Sequence, residues 1–303
     1  MYELIQLSEN DFYVDCPSKI GVVYLGKNRA VLIDSGSDKD AGKKVLRHLE
    51  SRGWTLAAIY NTHSHADHIG GNKLLQDRTG CPIYASGMEC VFTNSPALEP
   101  MNLYGGNPFK DLYNKFLCAQ TSMAQPLTPE ALPEGLEMVT LPGHSFDMVG
   151  YRTKDGNLFL ADCVSSAETL EKYGLSYLWD VPAFLQTLEK IKTLPAKKYI
   201  PAHAPVCEDA ASLAALADLN RAAVEKAEAL LCSLCETPKC FEELLAEVFE
   251  AYSMTMNAQQ YVLIGSTVRS YLSALLTAGR MEFFFENNKM LWKSRETGAS
   301  DEK

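Results

Sequence analysis

The chain has 303 residues, a formal charge of −10 and a sequence pI near 5.2. Its length suits one large domain with a small appendage, and 47% hydrophobic with 22% charged residues is ordinary globular composition. No apolar run approaches the roughly 20 residues that span a bilayer, and an acidic chain does not gather polyanions by long-range attraction.

The N-terminus, MYELIQLSEN, has neither a basic n-region nor an apolar h-region, so no secretory signal is expected. Nine cysteines, an odd number, then read as reduced thiols in a cytoplasm.

The first two-thirds alternates strand-like and helix-like stretches. GVVYLG (21–26) and RAVLIDSG (29–36) read as β-branched strands ended by glycine turns. DKDAGKKVLRHLESRG reads as a helix capped by Asp38 and stopped at Gly53. LAAIYNT (56–62) is the next strand, and GGNKLLQDRTG opens a helix. Further strands follow in LEMVTL, MVGYRT, NLFLAD and KKYIPAHA. This rhythm predicts an α/β layered domain over 1–207. Two long stretches, 87–131 and 165–180, interrupt it with many aromatic residues; they read equally as pocket walls or as extensions of the core.

From Glu208 the character changes. An Ala-rich connecting helix is predicted over 208–235. Phe241, Leu244, Leu245, Val248, Phe249 and Tyr252 then recur at helical spacing, as do Val268, Tyr271, Leu272, Leu275 and Leu276. RMEFFFENNKMLWK reads as a hairpin turning at Asn287-Asn288. Two helices and a hairpin predict a winged-helix-like unit over 236–293, followed by a polar tail over 294–303. A DNA-reading wing should be basic. Residues 236–293 instead carry five Lys or Arg against seven Glu, which favours packing against the first domain or a homodimer contact.

The chemistry concentrates in NTHSHADHIGG, Asn61 to Gly71, which holds three of the six histidines. Imidazole suits zinc and similar metals, and carboxylate supplies hard oxygen. A turn leaving a strand near Thr62 can aim His63 and His65 at one point, with Asp67 and His68 aimed at a second. His144, Asp162 and His203 each sit at or just beyond the end of a predicted strand, and such ends converge on one rim of a sheet. Only His48, inside the first predicted helix, is left over.

THSHADH resembles the His-x-His-x-Asp-His signature of the metallo-β-lactamase-fold hydrolases. LPGHS, LAD and PAHA resemble that family's later ligand motifs, in the same order, and LIDSG with Asp34 resembles its early Asp-x-Gly turn. The resemblance spans about residues 20–205. It implies a four-layer αβ/βα sandwich with two divalent metal ions at one edge, zinc first, with iron or manganese accepted by the same ligands. It implies that His63, His65 and His144 hold the first metal, that Asp67, His68 and His203 hold the second, and that Asp162 bridges them. Asp34 would orient the surrounding loops, and Asp67 would also orient the nucleophile or move a proton. The implied reaction is hydrolysis by a metal-bridging hydroxide.

Within the family, exported zinc β-lactamases of the commonest type use Cys where this chain has Asp162. Di-iron oxygen-reducing members carry Glu at the position of His65. Glyoxalase II-like enzymes fit better, which points to a small ester, thioester or lactone. Cleavage of single-stranded RNA is the alternative, favoured by the winged-helix-like arrangement and opposed by net charge. Cys232, Cys235 and Cys240 are closely spaced but lack a fourth ligand for a structural zinc site.

Overall fold

Strand residues alternate between two faces, and that alternation builds the layers seen in the computed structural model, which describes residues 2–295. Residues 296–303 of the predicted polar tail lie outside the described residues. The first sheet has seven strands in sequence order: β1 (Glu3–Gln6), β2 (Asp11–Asp15), β3 (Ile20–Gly26), β4 (Arg29–Ile33), β5 (Thr55–Tyr60), β6 (Ile83–Ala85) and β7 (Ala124–Pro126). β1 to β4 form an antiparallel meander, and β4 to β7 run parallel. The second sheet contains β8 (Leu136–Thr140), β9 (Val149–Thr153), β10 (Asn157–Ser165) and β11 (Lys198–His203), ordered β11-β10-β9-β8 with β10 and β11 parallel.

Three apolar layers separate four layers of structure. Val22, Ala30, Leu32 and Ile59 face Val45, Leu49 and Leu75 of the helices α1 (Lys39–Ser51) and, beyond a single turn at α2 (Ala66–Ile69), α3 (Asn72–Thr79). Their neighbours Val23, Val31, Ile33 and Tyr60 point the other way, onto Val149, Tyr151, Phe159 and Ile200 of the second sheet. Leu158 and Leu160 point away again, onto later helices. Helix, sheet, sheet, helix is the predicted αβ/βα sandwich.

Helix α1 forms where predicted. Asp38 accepts from the backbone N–H groups of Asp40 and Ala41 at 2.9 and 3.0 Å, and Gly53 at φ +69° ends the turn. His48 on this helix bonds the Tyr2 carbonyl at 2.8 Å, far from the other histidines in role.

The aromatic stretch over 87–131 folds into α4 (Gly87–Asn94) and α5 (Leu98–Tyr104) before reaching β7. The stretch over 165–180 contains α6 (Ala167–Tyr173) and leads into α7 (Val181–Thr193). The first stretch divides between core and surface. Leu103, Leu112 and Leu117 extend a buried cluster, whereas Phe109, Tyr113 and Phe116 stay exposed.

The C-terminal part comprises α8 (Ala210–Leu234), the short β12 (Lys239–Cys240), α9 (Phe241–Ala251), α10 (Ala258–Thr277) and the hairpin β13 (Met281–Glu286) with β14 (Lys289–Ser294). The hairpin turns at Asn287 and Asn288, both at positive φ, as a two-residue turn between twisted strands requires. Helix α10 begins well before the apolar run that marked it in the sequence. Asn257 caps it by accepting from Gln260 N at 3.0 Å, and Gly265 interrupts the periodic signal. Leu158, Leu188, Leu213, Val224, Leu244, Val248, Val268 and Leu272 belong to one buried cluster, so apolar packing runs unbroken across residue 207 and residue 236.

Candidate metal centre

Parallel strands β4 and β5 of one sheet and β10 and β11 of the other end on the same rim. The rims are tied together: Val149 N donates to Thr62 O at 3.0 Å, and the Tyr151 hydroxyl donates to Asn61 O at 2.9 Å. The loop after β5 carries His63, His65, Asp67 and His68. The loop after β8 carries His144, and His203 is the last residue of β11.

Asp162 arrives differently from the sequence expectation. Strand β10 does not end there but runs on to Ser165, with register irregularities either side of Ala161, which sits at φ +51°. Such a bulge re-aims the following side chain. Here it turns Asp162 into the rim, while Cys163 points into the core.

Asp34, just past β4, is the hub beneath the histidines. It is buried at φ +63° and accepts from Thr62 N at 2.8 Å, Thr62 Oγ1 at 2.7 Å and His68 Nδ1 at 2.8 Å. The Thr62 hydroxyl proton is thereby used, so Thr62 Oγ1, 3.0 Å from His63 Nδ1, accepts from that ring. His144 Nδ1 meets the Tyr177 carbonyl at 3.1 Å, and His203 Nδ1 meets the Pro17 carbonyl at 3.0 Å. His65 is reversed: its Nε2 lies 3.8 Å from Glu99 Oε1. Four of the five rings thus hold one nitrogen outward on a hydrogen-bond acceptor, His65 turns its outer nitrogen toward Glu99, and the other nitrogen of each faces inward.

The inward atoms converge. His65 Nδ1 is 3.1 Å from His63 Nε2 and 3.0 Å from His144 Nε2. On the other side, His203 Nε2 is 3.2 Å from Asp67 Oδ2 and 3.2 Å from Asp162 Oδ2, and His68 Nε2 is 3.0 Å from Asp162 Oδ1. Three donor sets lie with all atoms within 4.8 Å: His63, His65 and His144; His63, His68 and Asp162; Asp67, His68 and His203. Among the described residues no other such set occurs, and Cys232, Cys235 and Cys240 form none. Asp162 Oδ2 also lies 3.4 Å from His144 Nε2, so this carboxylate faces both groups.

Two features show what the cluster fits. His68 Nε2 and Asp162 Oδ1 are buried and close, yet neither has a hydrogen-bond partner. Three histidine nitrogens whose outer positions hold the protons would repel one another at 3 Å without a cation between them. A divalent metal satisfies both sets.

The protonation pattern of the bare cluster shows the same polarity. Burial, reinforced by the neighbouring imidazoles, drives His144 down to about 3 and His63 well below its ordinary value. Burial also pulls on His203, but Asp162 and Asp67 against it raise it to about 10. Burial would raise the Asp162 carboxyl, yet His203 and His68 hold it well below the usual range. Positive charge is thus favoured on the carboxylate side of the cluster.

Glycine makes the loops possible. A Cβ on Gly143, at φ +121°, would lie 2.2 Å from Phe184 N, and one on Gly70 would lie 2.3 Å from the Ser37 carbonyl carbon. Neither backbone contact can yield. Gly143→Ala is therefore expected to push the His144 loop off α7 and to cost about 1–3 kcal/mol of stability, with metal binding weakened; calorimetric melting and metal content check both.

The structure brings together all seven residues that the sequence offered as ligands. The sequence reading missed the residues that aim them: Thr62, Ser18, Tyr177, Glu89 and Glu99. Ser18 Oγ donates to Asp67 Oδ2 at 2.7 Å. Glu89 and Glu99 are buried acids in an otherwise apolar stretch, and that mismatch was the available signal.

The metallo-β-lactamase superfamily model matches residues 13–203, which contain every candidate ligand. A hydroxyacylglutathione hydrolase of Rhodospirillum rubrum is 27% identical over 181 residues, 59% of each chain. Another, from Thiobacillus denitrificans, is 35% identical over 133 residues, 44% of this chain and 41% of that protein. The match thus spans no more than about three-fifths of these curated relatives. A crystal structure of a metallo-β-lactamase family protein from Thermus thermophilus superposes with a TM-score of 0.72, at 17% identity, over 94% of this chain and 98% of that one. Ordered ligand motifs, a four-layer sandwich and a convergent histidine–carboxylate rim agree with these matches: the chain belongs to the metallo-β-lactamase superfamily.

Proposed function

We propose that this protein is a dinuclear hydrolase of a small acyl substrate, with thioesters first, then esters and lactones. His63, His65 and His144 would hold one divalent metal, Asp67, His68 and His203 the other, and Asp162 would contact both. The observation that carries the reading is the paired orientation of the five imidazoles, with the inner nitrogen aimed at the rim and the outer nitrogen held by an acceptor in four and turned toward Glu99 in His65. A nitrogen-rich donor set suits zinc, and iron or manganese would meet the same ligands.

When bound, two such metals would supply Lewis acidity and would lower the pKa of water at the site. The chain's own residues do the rest. Asp34, Thr62, Tyr177 and Pro17 hold the rings, so no ligand must reorganise during turnover. The Asp67 side chain is 42% exposed, and Ser18 and His203 engage its Oδ2, which would leave Oδ1 to orient or move a proton beside the substrate.

The acyl-glutathiones named for the curated relatives are thioesters, which supports that order of substrates. Their tripeptide portion is not part of the proposal. We read α9, α10 and the hairpin as a winged-helix-like unit packed on the catalytic layers. No helix among the described residues is long and apolar enough to cross a membrane. All nine cysteines are free, which fits a reducing compartment such as the cytoplasm.

The test compares initial rates of the zinc-loaded protein on a short acyl thioester and on a single-stranded RNA oligomer. Thioester turnover alone is expected. RNA cleavage without thioester turnover would replace this reading with a phosphodiesterase.

A further inference from the structure

Two carboxylates on α4 and α5 are buried against the centre, and no ligand motif contains them. Glu89 is fully buried and accepts four hydrogen bonds, two on each oxygen. Oε2 accepts from Ser64 N at 2.8 Å and Ser64 Oγ at 2.6 Å; Oε1 accepts from Ser145 Oγ at 2.7 Å and Asp147 N at 3.0 Å. Ser64 lies between His63 and His65, and Ser145 follows His144. One side chain therefore joins the two loops that carry the three-histidine group. The junction is reciprocal, because Asp147 accepts from Met88 N at 2.7 Å and its carbonyl accepts from Ser86 Oγ at 2.5 Å, both at the start of α4.

Glu99 acts on the same group. Its Oε1 lies 3.8 Å from the outer nitrogen of His65, and its side chain is 9% exposed. The carboxylate-bearing group is steadied by different residues: Ser18 on Asp67 and the Pro17 carbonyl on His203. Asp34 serves both, through Thr62 and His68.

The charges are partitioned in the same way. His63, His65 and His144 bring no negative charge to a cation. Glu89 is satisfied by neutral donors alone, so its charge remains unbalanced until a cation arrives nearby. A buried charge without a counter-ion is costly, and a dication beside three neutral imidazoles is the matching partner.

Resting on the dinuclear reading above, we infer that Glu89, assisted by Glu99, is the positioning residue of the three-histidine metal position alone. It sets the affinity of that position independently of the other. The 87–131 insertion is then a working part of the centre rather than a cover added to it.

Cobalt(II) binding to the metal-free full chain tests this, followed by chelator competition and by the hyperfine-shifted imidazole N–H protons in the proton NMR spectrum. Three such protons report His63, His65 and His144, and two report His68 and His203. Glu89→Gln places an amide N–H₂ against donors that need an acceptor. It is expected to weaken the three-proton position by about 10–100-fold, with the two-proton position little changed; the lost acceptor also lowers the melting temperature of the metal-free protein. Ser18→Ala is expected to show the reverse selectivity. Equal loss at both positions, or no loss at either, overturns the inference, since a folding role moves both together. If Glu89→Gln does not fold, Ser145→Ala removes one arm of the clamp; it is expected to lower the three-proton position selectively, and unchanged binding overturns the inference. A wild-type chain binding fewer than two cobalt ions would instead remove the dinuclear reading beneath it.

Discussion

Asp162→Ala is expected to lose metal at both positions and to lower kcat/KM by about 10³-fold or more, because metal Lewis acidity supplies several kcal/mol to the transition state. The reason is positional. Asp162 is the carboxylate whose oxygens lie near inward nitrogens of both groups: 3.0 Å from His68, 3.2 Å from His203 and 3.4 Å from His144. Its removal leaves the three-histidine group with neutral donors only and strips the second group of half its carboxylate charge. Metal content and activity must fall together. A variant that keeps two metals per chain and full activity would show that Asp162 is no ligand.

Asp34→Ala should act through stability as much as through chemistry. Three donors, Thr62 N–H, Thr62 O–H and His68 Nδ1–H, lose their acceptor in a buried setting. Breaking a buried charged network of this kind costs about 3–5 kcal/mol. The left-handed backbone at φ +63° adds about 1 kcal/mol for Ala relative to a residue that tolerates it. Melting of the metal-free protein should drop by roughly 5–15 °C. Asp34→Asn separates the two effects. It keeps the shape and the backbone, but its one amide oxygen fills only one carboxylate position, so its N–H₂ faces either Thr62 N–H or the Thr62 Oγ1 and His68 Nδ1 pair. Metal affinity should fall further than stability does. Equal melting and equal metal content in wild type and Asp34→Ala would contradict the role of Asp34 as hub.

The convergence of the candidate ligands was legible in the sequence because they sit in loops and strand ends, where a short motif and its spacing already imply it. His63, His65, Asp67 and His68 lie within six positions, and His144 and His203 close apolar runs that could only be strands. The four layers were legible for the same reason, since period-two alternation in β3 and β4 sends Val22 and Val23 to opposite cores.

What was hidden depends on tertiary placement. The bulge at Ala161 leaves no mark in NLFLADCVS, so Asp162 read as the end of a strand it lies inside. Glu89 and Glu99 were overlooked because an acid's burial follows from what packs over it, here the loops of residues 63–65 and 144–147. The start of α10 was masked by Gly265 and by β-branched residues that weaken the helical signal locally. Strands β1 and β2 escaped notice because they are short and pair only once the meander forms.

The most direct test of the dinuclear centre is a crystal of the zinc-soaked protein with anomalous diffraction recorded on either side of the zinc edge. Two peaks per chain are expected, one among His63, His65 and His144 and one among Asp67, His68 and His203, with Asp162 between them. A single peak, or zinc bound away from this rim, would contradict a dinuclear centre.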